Sequence, residues 1–141
     1  MGSAGRRRFG RRDFLKFVAD MIQLRRSQPA LRGSSARVSR AGNFDRVIVL
    51  HRWIEGEGRD VVVIANLAEQ PKQDYVIGLP FAGDWLELLN SDVYDSFPNA
   101  APVGNGGLVR SCSEPLDGFS ARAAVTLPAN GIIVLARSRM Q

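Results

Sequence analysis

Hydrophobic residues cluster in short runs along the chain, and the strongest run predicts a central strand. Residues Asp60–Asn66 include four consecutive β-branched side chains, which favour extended backbone. Side chains alternate along a strand, so odd positions from Val61 to Ala65 face one way, and Val62 and Ile64 face the other. A half-buried strand carries polar residues on one of its faces. Because both faces are apolar here, the pattern predicts a strand covered on both sides.

A helical spacing of apolar residues precedes the strands. We predict one amphipathic helix over residues 13–27, with Asp13 as its N-cap and Pro29 ending it, because a residue before proline avoids helical angles. Its apolar stripe is wide and is expected to be covered by something. The stripe includes Phe14, Val18, Met21 and Ile22.

Seven or eight short strands with turn signals between them are predicted after the helix. They are Ala36–Arg40, Arg46–Ile54, Arg59–Asn66, Gln73–Gly78, Asp84–Leu89, Leu108–Cys112, Arg122–Leu127 and Ile132–Ala136. The Glu55–Gly58 loop predicts an antiparallel hairpin, and the Asn-Gly pair within Pro128–Gly131 predicts a closing hairpin. Residues 90–107 have no regular pattern, and a loop this long is typically functional, or mobile because a partner is missing. The fold class is therefore mainly β, an antiparallel β-sandwich preceded by one amphipathic α-helix.

The formal charge of +5 lies entirely in a Gly- and Arg-rich leader. Residues 1–12 contain five arginines and no acid, which leaves 14 basic and 14 acidic residues in the rest of the 141-residue chain. A nucleic-acid binder normally carries its basic patch on the fold, so no nucleic-acid partner is expected. The leader is interpreted as a flexible tail. Binding through it would weaken steeply with salt and disappear when residues 1–12 are deleted.

The chain offers few groups for chemistry. Its single cysteine, Cys112, excludes an internal disulfide, and the single histidine, His51, lies in an apolar strand pattern and is interpreted as an ordinary strand residue. Gly104–Gly107 lacks the lysine and the following helix of a phosphate loop. We expect no catalytic residue, no metal and no cofactor. The sequence shows no secretory signal and no membrane span. A single cysteine fits a reducing, cytoplasmic setting, which is the expectation.

Aromatic residues are the candidates for binding. Trp53, Tyr75, Trp85 and Tyr94 could offer flat faces to sugar rings, with Tyr94 expected to be the most exposed because it lies in the irregular segment. The alternative is that both tryptophans are core or sheet-surface residues, as aromatics in strands usually are.

Four segments, in order, resemble the α-amylase superfamily (glycoside hydrolase family 13). Gln23–Gly33 (QLRRSQPALRG) resembles the end of that family's last barrel helix, and the strands Arg46–Trp53 and Arg59–Asn66 resemble the first strands of its C-terminal all-β domain. Gly83–Asp92 (GDWLELLNSD) resembles a segment of bacterial glycogen branching enzymes, and Val125–Leu135 (VTLPANGIIVL) resembles the closing hairpin.

The resemblance implies a division of the chain and a parent enzyme. Residues 13–28 would correspond to the last helix of a catalytic (β/α)8 barrel, residues 34–137 to the C-terminal β-sandwich, and residues 138–141 to a tail. A 1,4-α-glucan branching enzyme fits best. Branching enzymes usually carry Tyr-Gly-Gly where this chain reads Val93–Phe97, which leaves an amylase, a trehalose-forming or a glucan-trimming relative open.

The family's catalytic aspartates and glutamate lie on the barrel, so the resemblance implies that this chain alone is inactive. It would then be an accessory domain that packs on the barrel and stabilises it, with Phe14, Val18, Met21 and Ile22 as the docking face. The alternative is an α-glucan-binding module that uses exposed aromatics. Without the barrel, the helix face is expected to drive self-association.

Overall fold

The computed structural model describes residues 10–138, in which one α-helix is followed by eight strands. The helix α1 spans Arg11–Ser27, and 3-10 turns lie at Pro29–Arg32 and Ser91–Tyr94. The strands are β1 Ser35–Ala41, β2 Val47–Trp53, β3 Val61–Asn66, β4 Lys72–Leu79, β5 Gly83–Asn90, β6 Leu108–Ser111, β7 Ala121–Leu127 and β8 Gly131–Arg137. In this part of the chain, no helix has the length and apolar character needed to cross a membrane.

The strands form two antiparallel sheets, which confirms the predicted β-sandwich. The larger sheet has the order β1-β2-β3-β8-β5-β6, and the smaller one pairs β4 with β7. The expected pairing of β2 with β3 is also confirmed, with His51 opposite Val62. The core between the sheets consists of buried side chains from both sheets: Val47, Val49, Val62, Ile64, Ile77, Leu79, Trp85, Val109, Ala123, Val125, Leu127, Ile133 and Leu135.

β3 is covered on both faces, as its uninterrupted apolar run predicts. Val62 and Ile64 are fully buried in the core between the sheets. Val61, on the opposite face, belongs to a second cluster, against which Phe17 and Leu24 of α1 pack. The larger sheet therefore has the smaller sheet on one side and the helix on the other.

The Asn130–Gly131 turn joins the two sheets, so the predicted closing hairpin was wrong. β7 pairs with β4 in the smaller sheet, whereas β8 pairs with β3 and β5 in the larger one. The physical reason lies in β8, which has apolar side chains on both faces. Ile133 packs between the sheets and Val134 packs on the helix side. A hairpin with β7 would leave one of those faces uncovered.

The helix begins earlier than its sequence pattern predicts. Gly10 is the N-cap, with extended backbone and no side-chain cap hydrogen bond, so the assignment of Asp13 as N-cap was wrong. Asp13 lies inside the first turn, where a carboxylate favours the helix by facing the positive end of its dipole. Asp13 therefore interacts with the helix dipole from within the first turn and not from the N-cap position.

The start of the helix also changes the predicted leader. Arg11 and Arg12 belong to α1, so they were wrongly placed in a flexible segment. The rest of the predicted leader, residues 1–9, lies outside the described residues, as do residues 139–141 of the predicted tail.

Candidate docking surface

Helix α1 contacts the sandwich with one face and exposes an apolar stripe on the neighbouring face. Phe17 and Leu24 pack on the sheet. The stripe lies on the neighbouring face of the helix, because residues three and four apart project in similar directions. Its members are Phe14, which is 53% exposed, Met21 at 36%, Ile22 at 51% and the half-buried Val18. Apart from Val18, each of these side chains is more than a third exposed.

Tyr94 holds the helix in place from the irregular segment. Its hydroxyl donates a hydrogen bond to Asp20 Oδ2 at 2.5 Å, and its ring packs edge-on against Phe17, with centroids 5.3 Å apart. This hydrogen bond lowers the pKa of Asp20 below its usual range, while burial and the Asp20 carboxylate raise the pKa of Tyr94. Tyr94 is only 6% exposed, so the expectation that it is the most exposed aromatic was wrong. Its ring is buried because it fills the gap between helix and sheet.

Side-chain hydrogen bonds to the backbone fix the segment 90–107. Asp92 accepts from the backbone N–H of Val103 and from the Asn99 side chain. Glu87 accepts from the backbone N–H groups of Asn105 and Gly107. These carboxylates are engaged in shaping the loop, which explains how a segment without regular strands keeps a defined path.

The two tryptophans differ in their burial. Trp85 is fully buried in the core, and its Nε1–H donates to the carbonyl oxygen of Phe81 at 3.0 Å. A buried ring offers no face to a ligand, so Trp85 as a glucan contact was wrong. Its position on β5 places it on the sheet face that meets the second sheet.

Trp53 is half-buried and rigidly held. Its ring stacks on His51 with centroids 4.5 Å apart, and its Nε1–H donates to Glu55 Oε1 at 3.1 Å. His51 Nε2 lies 2.6 Å from Asp60 Oδ2, and both residues are buried. The half-buried Phe119 packs edge-on against the same imidazole at 5.2 Å. The position of Trp53 is therefore determined by a buried polar pair beneath it.

A polar network that sequence reasoning missed connects the first hairpin to the smaller sheet. Arg40 on β1 forms an ion pair with Asp117, with Nη2 3.0 Å from Oδ2, and donates from Nη1 to the Tyr75 hydroxyl at 2.9 Å. Tyr75 in turn donates to Asp45 Oδ2 at 2.5 Å, which lowers the pKa of that carboxyl. These residues are scattered along the chain, so no local motif could reveal them.

Metal binding has no visible basis in the described residues. No three His, Cys, Asp or Glu side chains of residues 10–138 are grouped so that they could hold a metal ion. The candidate surfaces in the described residues are the exposed helix stripe and the half-buried Trp53.

The described residues form a β-sandwich domain, preceded in sequence by a helix that exposes an apolar stripe. The sequence profile of the alpha amylase, C-terminal all-beta domain family matches residues 38–138, and the chain belongs to that family.

The two relatives described here carry the same name. The chain is 39% identical over 90 residues to 1,4-alpha-glucan branching enzyme GlgB of Paraburkholderia xenovorans (strain LB400), covering 62% of this chain and 12% of that protein. It is 44% identical over 85 residues to the GlgB of Leifsonia xyli subsp. xyli (strain CTCB07), covering 60% and 11% respectively. The chain thus spans only about a tenth of the length of these relatives.

A solved structure supports the fold alone. AmyP, crystallised in complex with maltose, superposes with a TM-score of 0.56 at 14% identity, covering 92% of this chain and 22% of that chain.

Proposed function

We propose that this chain is a non-catalytic C-terminal accessory domain of an α-glucan-active enzyme, which packs against the catalytic (β/α)8 barrel and stabilises it. The exposed helix stripe carries this proposal. Phe14, Met21 and Ile22 are more than a third exposed on the only α-helix of residues 10–138. Covering a half-exposed side chain of this size contributes roughly 1 kcal/mol, so a docked barrel would gain several such contributions.

The parent enzyme we propose is a 1,4-α-glucan branching enzyme. The two relatives described above both carry that name. The family also includes amylases, and an amylase parent remains the alternative within the same proposal. In either case the glucan chemistry would belong to the barrel.

A chimeric enzyme tests the docking. This chain replaces the matching C-terminal segment of the Leifsonia xyli enzyme, and the rate of heat inactivation is measured. Ile22→Glu is expected to accelerate inactivation about tenfold, because it places a carboxylate in an apolar contact. The control is Val76→Glu on β4, which is 38% exposed on the opposite side of the sandwich. Equal inactivation rates for both variants would refute docking through the helix.

The alternative function is α-glucan binding through Trp53, and it is favoured by the fixed, half-buried indole that His51 and Glu55 hold. A pyranose packs its C–H face on such a ring. Titration with maltoheptaose, followed by tryptophan fluorescence and amide NMR shifts, should give saturable changes around Trp53 that Trp53→Ala abolishes. No change at millimolar sugar would eliminate this alternative and leave the docking role.

A further inference from the structure

Phe44 is fully exposed, at 100%, on the turn between β1 and β2. Single exposed apolar residues are common on protein surfaces. Several exposed apolar residues close together more often mark an interaction site. Neither the fold nor the helix stripe uses this residue.

The turn that presents Phe44 is held rigidly from below. Its neighbour Asp45 accepts the hydrogen bond from Tyr75, which Arg40 also contacts. Within the turn, the backbone N–H of Arg46 donates to Gly42 O at 3.0 Å, and Arg46 adopts a φ of 58°. A rigid base lowers the entropy that an aromatic anchor loses when a partner binds it.

Three further exposed apolar residues lie on β1, on β2 and directly after β3. Val38 is 56% exposed, Ile48 is 38% exposed and Leu67 is 53% exposed. Ile48 alternates with the core residues Val47 and Val49, so it lies on the face of the larger sheet that α1 also occupies. Together we name Val38, Phe44, Ile48 and Leu67 the Phe44 corner.

The Phe44 corner borders a pocket of about 470 Å³ with a cation at its rim. Asn43, Arg46, Ile48 and Leu67 are among its lining residues. The Arg46 side chain is exposed and makes no ion pair with any residue in 10–138. An unpaired guanidinium can form charge-assisted, bidentate hydrogen bonds with a carboxylate of a partner. The corner is therefore complementary to an apolar surface that carries an acidic residue.

We propose that the Phe44 corner is a second docking contact with the catalytic portion of the parent enzyme, with Phe44 as its anchor and Arg46 paired to a carboxylate of that portion. This inference rests on the proposed function. Ile48 of the corner and α1 lie on the same side of the larger sheet, so one large body can reach both. The curated relatives supply such a body, because this chain corresponds to only 12% and 11% of their length.

The chimeric enzyme tests this contact through Phe44→Ala and Arg46→Gln. Phe44→Ala should accelerate heat inactivation about tenfold, as removal of a central aromatic anchor does, while the melting temperature of the isolated chain stays unchanged because the ring is fully exposed. Arg46→Gln should reduce the salt dependence of the inactivation rate. The control is Leu108→Ala, a residue 39% exposed on β6 at the other edge of the sheet, which should leave the rate unchanged.

Each of the following results would overturn the proposal. The first is an unchanged inactivation rate for Phe44→Ala while Ile22→Glu still accelerates inactivation. This result would reject the Phe44 corner as a contact and would leave docking through the helix intact. If neither variant has an effect, the proposed function fails as well. The second is a melting temperature of the isolated Phe44→Ala chain that falls as far as that of the chimera, which assigns Phe44 to folding. The third is self-association of the isolated chain that Phe44→Ala abolishes and Ile22→Glu preserves, which assigns the corner to a second copy.

Discussion

At the scale of single residues, the hydrogen bond between Tyr94 and Asp20 connects α1 to the segment that follows β5. The Tyr94 ring excludes water from one side, and the Asp20 carboxylate is the acceptor. Because the pKa of Asp20 is lowered in the folded chain, its ionised form stabilises the fold. That contribution is complete above the ordinary pKa of 3.8 and is lost as the pH falls through the lower folded value.

Tyr94→Phe should therefore destabilise the chain in a pH-dependent way. At pH 7 the loss in the free energy of unfolding is expected to be about 1 kcal/mol, since the bond is charge-assisted but partly screened by solvent. The difference from the unmodified chain should shrink below pH 3.8. Urea denaturation at several pH values measures it. Asp20→Asn is the matched variant, and a double variant that loses the sum of both single effects would contradict a direct bond.

The two tryptophans should respond very differently to truncation. Trp85→Ala is expected to cost about 3–5 kcal/mol, because it leaves a cavity in the core. Trp53→Ala should cost less, since its ring is only half-buried. Thermal unfolding followed by far-UV circular dichroism compares them, and equal losses would mean that the burial of Trp85 does not hold in solution.

At the scale of elements, the backbone of β4 is in close contact with the loop before β7. A Cβ at Gly78 would come within 2.2 Å of the backbone oxygen of Leu116. That loop also carries Asp117, the ion-pair partner of Arg40. The close approach of two backbones thus positions a residue of the polar network.

Gly78→Ala should shift the loop and destabilise the domain by about 1–3 kcal/mol, because a backbone atom must move. Gly33→Ala is the control, since its Cβ would meet its nearest atom, Ile54 Cγ1, at an ordinary 3.5 Å. Urea denaturation of both variants gives the comparison. A Gly78→Ala chain as stable as the Gly33→Ala chain would show that the loop is free to move.

Sequence patterns predicted the strands and turns better than they predicted which strands pair with each other. The apolar run Val61–Ile64 predicted both the strand and its two covered faces, because alternation is a local property. Asn130–Gly131 predicted a turn but not that the chain changes sheets there, since sheet membership depends on distant strands. For the same reason the pattern of β5 could not assign Trp85 to the core.

The candidate site was predictable only in part. The helical spacing of Phe14 and Ile22 marked the apolar stripe, and the structure exposes both residues. Phe44 and its supporting network had no signal, because one phenylalanine in a turn resembles any other until its exposure is known. The docking role of the stripe remains a prediction.

At the scale of the whole molecule, an uncovered helix face should make the isolated chain self-associate. Analytical ultracentrifugation is expected to show a weight-average mass that rises with concentration, since exposed contiguous apolar patches drive association. Ile22→Glu should shift the equilibrium toward monomer, and Val76→Glu should not. A monomer at all concentrations would count against the prediction.

The central position of β8 in the larger sheet bears on how the chain folds as it is made. β3 and β5 receive their shared partner only when residues 131–137 have left the ribosome. Until then each strand has an open, apolar edge, which is the kind of surface that aggregates. The pairing is also between residues far apart in sequence, which slows folding. We therefore expect a chain that is truncated before Gly131 to aggregate, because β3 and β5 would then lack their shared partner.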